Sequence, residues 1–435
     1  MKKNNCPYQE ALDFLYAQLP MFQRQGSSAF KKTLDNSWRL SERLGAPEKK
    51  FRSVHIAGTN GKGSTTHILA GLLQAQGYKV GVYSSPHYKD FRERIKINGQ
   101  YISEEEVVNF VAEQKEFILG QQLSFFELTV GMAFHYFAQQ KVDWAIIETG
   151  LGGRLDSTNI ISPELSLITN IGWDHSDILG ESLGLIAAEK AGIIKAQTPV
   201  IIGERQSEDI AQAFAQKAKA EQAPLYYAEE LVQLEKGEEN LLGRQYGYQY
   251  KSGDSADIFL DLAGDFQFFN LRLALAALHL MQEKQLIDIS EEKIKFALAN
   301  IRSLTGFMGR WQLLEEGPPM LLCDSAHNVD GLRYLGQMLA KMEYAQLHFV
   351  FGMVRDKSAE KILSSLPKEA NYYFAAAQIP RAKAADQLAQ EAASFGLAGQ
   401  AYESVAQALA AAKAMAKKDD IIFVGGSIFV VAEIL

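Results

Sequence analysis

Residues 53–76 read SVHIAGTNGKGSTTHILAGLLQAQ, and this stretch decides the fold. SVHIA (53–57) reads as a short apolar strand. Residues 62–76 place Ile68, Leu69, Leu72 and Leu73 at helical spacing, with Gly77 suited to the stop. Between strand and helix lies GTNGKGS (58–64). Glycines there let the backbone turn tightly and present free N–H groups to an anion, and Lys62 adds a cation for outer phosphates. Ser64 or Thr65 supplies a hydroxyl for Mg²⁺ or a phosphate oxygen. The generic phosphate-loop pattern GxxxxGK[ST] nevertheless fails, because Ile56 stands at the first glycine position and Gly63 at the Ser/Thr position. On this motif alone, a glycine-rich turn carrying an exposed lysine stays open.

Outward from the loop, strand-type runs at 79–83, 143–148, 165–171 and 199–202 alternate with helical runs at 62–76, 104–119, 127–139, 182–191 and 208–220. Such alternation predicts βαβ units and a mostly parallel sheet. Residues 226–262 are polar with short alternations and predict a small antiparallel excursion, followed by helices at 269–282 and 291–300. The stretch 302–309 (RSLTGFMG) lacks periodicity and marks a linker. A second α/β series then runs through strands at 320–323, 347–351, 372–375 and 421–424, with helices at 331–342, from 359, and at 404–417. The expected fold is α/β with two domains. Residues 1–302 form a P-loop ATPase-like domain with a mostly parallel sheet and flanking helices, and 303–435 a smaller Rossmann-like α/β domain.

The 435-residue length suits two domains, and 47% hydrophobic with 22% charged residues is ordinary globular composition. A net charge of −8 argues against bulk binding of nucleic acid or anionic membranes. Cys6 and Cys323 form neither a disulfide framework nor a metal-type cluster. No signal peptide and no membrane-spanning stretch is read, so a cytoplasmic location is expected.

Several residues sit where chemistry is done. Glu148 closes the apolar run DWAIIE, and a carboxylate at a strand's C-terminal end stands where α/β sheets bind ligands. The Ser85 hydroxyl follows the neighbouring strand, and His175 follows the strand at 165–171. Lys190 lies in a helix beside Glu189, where a solvated charge pair is the plainer reading. Asp324 and His327 follow a buried strand. Helix capping remains open for Asp324 and Ser427, and a core-facing polar role for Asn270.

HIAGTNGKGST resembles the nucleotide loop of the Mur-ligase superfamily, and its GTNGKGS form resembles the folylpolyglutamate synthases. The resemblance continues through Ser85-Pro86-His87 and through Arg92-Glu93-Arg94-Ile95, where Arg92 replaces the usual Asn. It extends through ETGLGGRLDSTN (148–159), Asp174-His175 with Leu179-Gly180, EKAGIIK (189–195) and GDFQFFN (264–270). Gly309-Arg310, DSAHNVDG (324–331), Asp356-Lys357 and Gly426-Ser427 complete it.

That resemblance implies an ATP- and Mg²⁺-dependent ligase that joins L-glutamate to a folate or dihydropteroate. It puts ATP on Thr59, Asn60, Gly61, Lys62, Gly63, Ser64, Thr65, Arg310 and Asp324, with Asn270, and more weakly Gln267, at the adenine. Two Mg²⁺ sites draw on Ser85, Glu148, His175 and Lys190, the last as a carbamate made with CO₂. K⁺ is a further candidate cofactor. His327 and Ser427 fall near the incoming glutamate, with Lys62, Lys190 and His327 as the catalytic set. Residues 148–159 are implied to form a mobile loop between ATP and folate. Phe125, Gly153, Arg154 and Asp156 are implied at the acceptor substrate and resemble members that also make dihydrofolate. A monomer is expected. The alternatives are a Mur-type ligase of a UDP-linked muropeptide, disfavoured by the short segment before Gly58, and a non-catalytic nucleotide-binding module.

Overall fold

The computed structural model describes residues 6–19, 33–355 and 357–435, so Asp356 of the Asp356-Lys357 motif lies outside the described residues. Among the described residues, three sheets carry the fold. The largest has eight strands: β1 (Arg52–Ala57), β2 (Val80–Tyr83), β3 (Ile95–Ile97), β4 (Gln100–Tyr101), β5 (Trp144–Glu148), β6 (Leu165–Ile168), β7 (Val200–Ile202) and β8 (Leu225–Tyr227). Their order is β4-β3-β2-β5-β1-β6-β7-β8. β1 pairs in parallel with β5 on one side and β6 on the other. The order therefore reverses at β1, and the crevice beyond its C-terminal end is where such sheets take ligands.

Burial on both faces explains the apolar strands. In β5, Trp144 and Ile146 face the core shared with the helices Lys62–Gln76 and Gln267–Glu283, while Ala145 and Ile147 face the core under the helix Phe125–Gln139. This is the two-residue alternation of a pleated strand. The helix expected at 127–139 starts earlier, because Ser124 and Glu127 form a capping box.

The antiparallel excursion is a three-stranded sheet of β9 (Val232–Glu239), β10 (Arg244–Tyr250) and β11 (Ser255–Leu260). The third sheet comprises β12 (Gln312–Glu315), β13 (Met320–Asp324), β14 (Leu347–Phe351), β15 (Ala370–Ala375), β16 (Gly399–Tyr402) and β17 (Ile421–Gly425), in the order β12-β13-β17-β14-β15-β16. Only the β12–β13 pairing is antiparallel.

Residues 302–309 are more ordered than their composition suggested. A helical turn, Ile301–Thr305, occupies half of the stretch. The buried Lys96 ammonium donates to the carbonyls of Thr305 and Gly306, each at 3.0 Å, and pins the turn to the first sheet. No helix among the described residues is long and apolar enough to cross a membrane.

Ile146 is fully buried at the sheet centre. Ile146→Ala is expected to cost about 2–5 kcal/mol, read as a lower urea-denaturation midpoint; an unchanged midpoint contradicts this packing.

Candidate active site

The loop after β1 is shaped by two close approaches. Gly58 has φ +149°, and a Cβ there would fall 1.8 Å from Thr169 Oγ1. Gly61 has φ +84°, and its Cβ would fall 2.1 Å from Asn270 Oδ1. Neither position has room for a side chain. Gly61 also caps the helix Lys62–Gln76 with no side-chain acceptor, so first-turn N–H groups stay available to an anion.

Residues just past β6 staple the loop in place. Thr59 N donates to Asn170 O at 2.9 Å, Asn60 N to Asn170 Oδ1 at 3.0 Å, and Thr169 Oγ1 to Asn60 O at 2.6 Å. Gly172 N donates to Thr59 Oγ1 at 2.9 Å.

Two lysines converge on the loop. Lys62 Nζ donates to Gly58 O at 3.1 Å and Thr59 O at 3.3 Å. Lys190 Nζ, from the helix Leu183–Ala191, donates to the same Gly58 O at 2.7 Å. Burial brings the Lys190 amine down to about 7, and the Lys62 charge acts in the same direction. Lys190 is thus no solvated surface lysine. Glu148, at the end of β5, is also buried. Burial pushes its carboxyl up to about 7, against the charges of Lys62 and Arg310 and a hydrogen bond from Ser85 N–H.

His175 adopts φ +50° and caps the short helix Ser176–Leu179. Burial brings its imidazole down to about 4, opposed by Asp174. Burial alone would raise the Asp174 carboxyl, but His327, His175 and Lys357 together hold it well below the usual carboxylate range.

The second domain supplies the facing wall from the C-terminal end of β13. Asp324 accepts from Trp311 N and Ala326 N, both at 2.7 Å. Its carboxyl is raised by burial, against Arg310 and those two N–H groups. Arg310 hydrogen-bonds Ser325 Oγ, which also meets Tyr88 OH across the domain boundary at 2.9 Å. His327 Nδ1 lies 3.1 Å from Ser325 O, so that nitrogen carries the proton and donates.

One cleft of about 540 Å³ gathers these groups. Thr59, Asn60, Gly61, Lys62, Gly63 and Ser64 line it, with Ser85, Glu148, His175 and Lys190 beside them. Asn270, Arg310, Asp324 and His327 complete the expected set. Asn270 Nδ2 donates to Gln267 Oε1 at 2.9 Å, so the adenine candidates form one amide pair.

Seven expected residues do not line this cleft, among them Gln267, which is fully buried behind Asn270. Thr65 is fully buried in the first helical turn, and its Oγ1 has no hydrogen-bond partner among the described residues. Phe125 is a core residue, 5.6 Å from the Tyr16 ring and 5.8 Å from the Phe91 ring, because it opens a helix whose first turn packs inward. Its neighbour Phe126 is the one that contacts the loop, against Gly150. Gly153 lies against the carbonyls of Glu189 and Lys190, where a Cβ would fall within 2.9 Å of each. Arg154 turns outward to pair with Glu189 at 2.7 Å. Ser427 caps the helix Ile428–Ala432, accepting from Phe429 N at 3.2 Å.

Asp156 folds the 150–153 turn from below. It accepts from Gly150 N and Leu151 N, each at 2.8 Å, and from Thr158 Oγ1 at 2.5 Å. The Thr158 hydrogen is used there, so His55 Nε2, 2.8 Å from Thr158 Oγ1, donates. Sequence reasoning missed His55, Tyr88, Asn170 and the half-exposed Trp173 that also lines the cleft. Only Asn170 carried a signal, as a polar residue ending an apolar strand.

The donors suit a hard divalent cation at Glu148. A carboxylate and the Ser85 hydroxyl are oxygen ligands, and Mg²⁺ takes few protein ligands beside phosphate and water. No cluster of three or more His, Cys, Asp or Glu suited to a metal occurs among the described residues. A divalent cation held there would complete its coordination with substrate oxygens and water.

Comparison with known proteins gives a consistent result. Residues 56–278 match the family described as Mur ligase middle domain, and residues 309–428 match Mur ligase, glutamate ligase domain. The dihydrofolate synthase/folylpolyglutamate synthase of Bacillus subtilis is 36% identical over 390 residues, covering 88% of each chain. The structure of Escherichia coli FolC in complex with DHPP and ADP superposes with a TM-score of 0.86 at 31% identity, covering 100% of this chain and 98% of that one. A bifunctional folylpolyglutamate synthase/dihydrofolate synthase with Mn, AMPPNP and L-glutamate bound gives 0.83 at 30% identity, covering 99% and 97%.

Gly58→Ala is expected to destabilise by about 1–3 kcal/mol, through the steric conflict with Thr169 and the strained φ. It is also expected to weaken ADP binding measured by calorimetry. Wild-type affinity and melting temperature together would refute the packing at Thr169.

Proposed function

The chain belongs to the Mur ligase family, in its dihydrofolate synthase/folylpolyglutamate synthase branch, and from that premise we propose how the cleft carries out ATP-dependent ligation of glutamate to a pteroate or folate. The carrying observation is that Lys62 and Lys190 both donate to the Gly58 carbonyl beside buried Glu148, opposite Arg310, Asp324 and His327 of the second domain. Residues 1–302 bind the nucleotide and acceptor, and 303–435 present the glutamate.

Lys62 and the first-turn N–H groups neutralise the ATP phosphates. The acceptor carboxylate attacks the γ-phosphorus, giving an acyl phosphate and ADP. The glutamate amine then attacks the acyl carbon, phosphate leaves, and the amine proton passes to a base. His327, at the second-domain wall of the cleft, is the candidate. Arg310 and Asp324 position the nucleotide from the second domain, with Asn270 and Gln267 at the base. Glu148, Ser85 and His175 would hold divalent cations, which supply charge neutralisation at the phosphates. Gly153, Arg154 and Asp156 act on the acceptor side by shaping the 150–156 loop, Phe125 backs that side from the core, and Ser427 caps the helix after β17 on the glutamate side. K⁺ is a further cofactor candidate beside the divalent cations.

Lys190 meets the requirement for carbamylation, since CO₂ reacts with a neutral amine and burial brings this one down to about 7. Raising pH through about 7 increases the neutral fraction. Under ¹³C-bicarbonate, wild-type protein should show a carbamate carbon resonance that Lys190→Ala lacks, and the same spectrum from both removes the carbamate.

The function itself is tested by glutamate-dependent phosphate release with dihydropteroate and with tetrahydrofolate in parallel. Turnover of both is expected, while Lys62→Ala should lose at least about a thousandfold with its melting temperature kept. Release with neither acceptor refutes the ligase, and a fully active Lys62→Ala refutes the role of Lys62.

A further inference from the structure

Inside the cleft, one carboxylate collects three partners. Asp174, on the segment after β6, has His175 Nε2 at 3.7 Å and His327 Nε2 at 3.6 Å, and Lys357 Nζ donates to its Oδ1. His175 is its chain neighbour, whereas His327 and Lys357 come from the second domain, at the C-terminal ends of β13 and β14. Both members of the Asp174–Lys357 pair are largely withdrawn from water, with side chains 11% and 17% exposed. Screening by salt and water therefore weakens this pair less than an ordinary surface pair.

Hydrogen bonds tie the backbone near Lys357 and the far side of His327. The loop bearing Lys357 is bridged to the loop after β15, where Arg355 N donates to Arg381 O and Lys383 N to Met353 O, each at 2.9 Å. His327 is held on its far side by the Ser325 carbonyl. Neutral cross-domain bonds serve other ends of the cleft. Asn328 Nδ2 donates to Asn60 Oδ1 at 2.9 Å, on the nucleotide loop, and Tyr88 OH meets Ser325 beside Arg310.

We propose that Asp174 and Lys357 are positioning residues, a cross-domain ion pair that seats His327 where the glutamate amine attacks. This rests on the ligase reading above. Neither residue touches the reacting atoms. The nucleotide wall from the second domain is held separately, through Asp324 to Trp311 N and through Ser325 to Tyr88. Loss of the pair therefore falls on glutamate rather than on ATP.

The test uses the full chain carrying Lys357→Met or Lys357→Arg. Lys357→Met should raise the glutamate KM at least about tenfold with the ATP KM within about twofold, and Lys357→Arg should restore wild-type behaviour because its cation reaches the same carboxylate. An unchanged glutamate KM, an equal rise in the ATP KM, or an arginine variant as impaired as the methionine one overturns the proposal. A second readout needs no turnover. Amide hydrogen exchange at residues 172–179 and 352–355 should accelerate in Lys357→Met and not in Lys357→Arg, and equal rates in all three proteins also overturn it. Absence of amide product from wild-type protein would defeat the ligase reading alone, since the exchange measurement still judges the pair.

Discussion

Two lysine amines, the buried Lys190 and the part-buried Lys62, share one carbonyl oxygen, that of Gly58, and most of the site follows from this arrangement. Like charges gathered out of water repel, and a neutral carbonyl offsets little of their desolvation. The arrangement is stable only with an amine that readily gives up its proton and with anions close by. Lys190 meets the first condition and Glu148 stands close by for the second. A triphosphate would add negative charge in the same place. The glycines of the loop are fixed by the same geometry, since a side chain at Gly58 would collide with Thr169.

Much of this was legible in the sequence because it is local. A strand, a glycine turn and a helix within 53–76 can be read from spacing, and carboxylates or hydroxyls at strand ends follow from where parallel sheets open. Glu148, Ser85 and Asp324 were found in that way. The failure of the generic phosphate-loop pattern, at Ile56 and Gly63, was itself informative, since it pointed to one ligase family.

What sequence reasoning could not see is whatever depends on distant packing. Phe125 and Phe126 are adjacent aromatic residues, yet a capping box turns one into the core and the other toward Gly150. Asp156 carried the right motif but spends its oxygens on the backbone of its own loop. His55 looks like any inward residue of an alternating strand, and its bond to Thr158 appears only when β1 lies over the loop after β5. Tyr88 and Asn328 matter because two domains face each other, which no window of sequence reports.

The strand order at β1 has a consequence for synthesis. β1 spans Arg52–Ala57, but its two neighbours, β5 and β6, end at Glu148 and Ile168. At roughly 5–20 residues per second, a ribosome needs on the order of ten seconds after β1 to produce both partners. During that interval an apolar strand with two unsatisfied edges is exposed, and pairings this far apart in sequence are slow to close. The strand that organises the nucleotide loop is thus also a segment of the nascent chain that needs protection from aggregation.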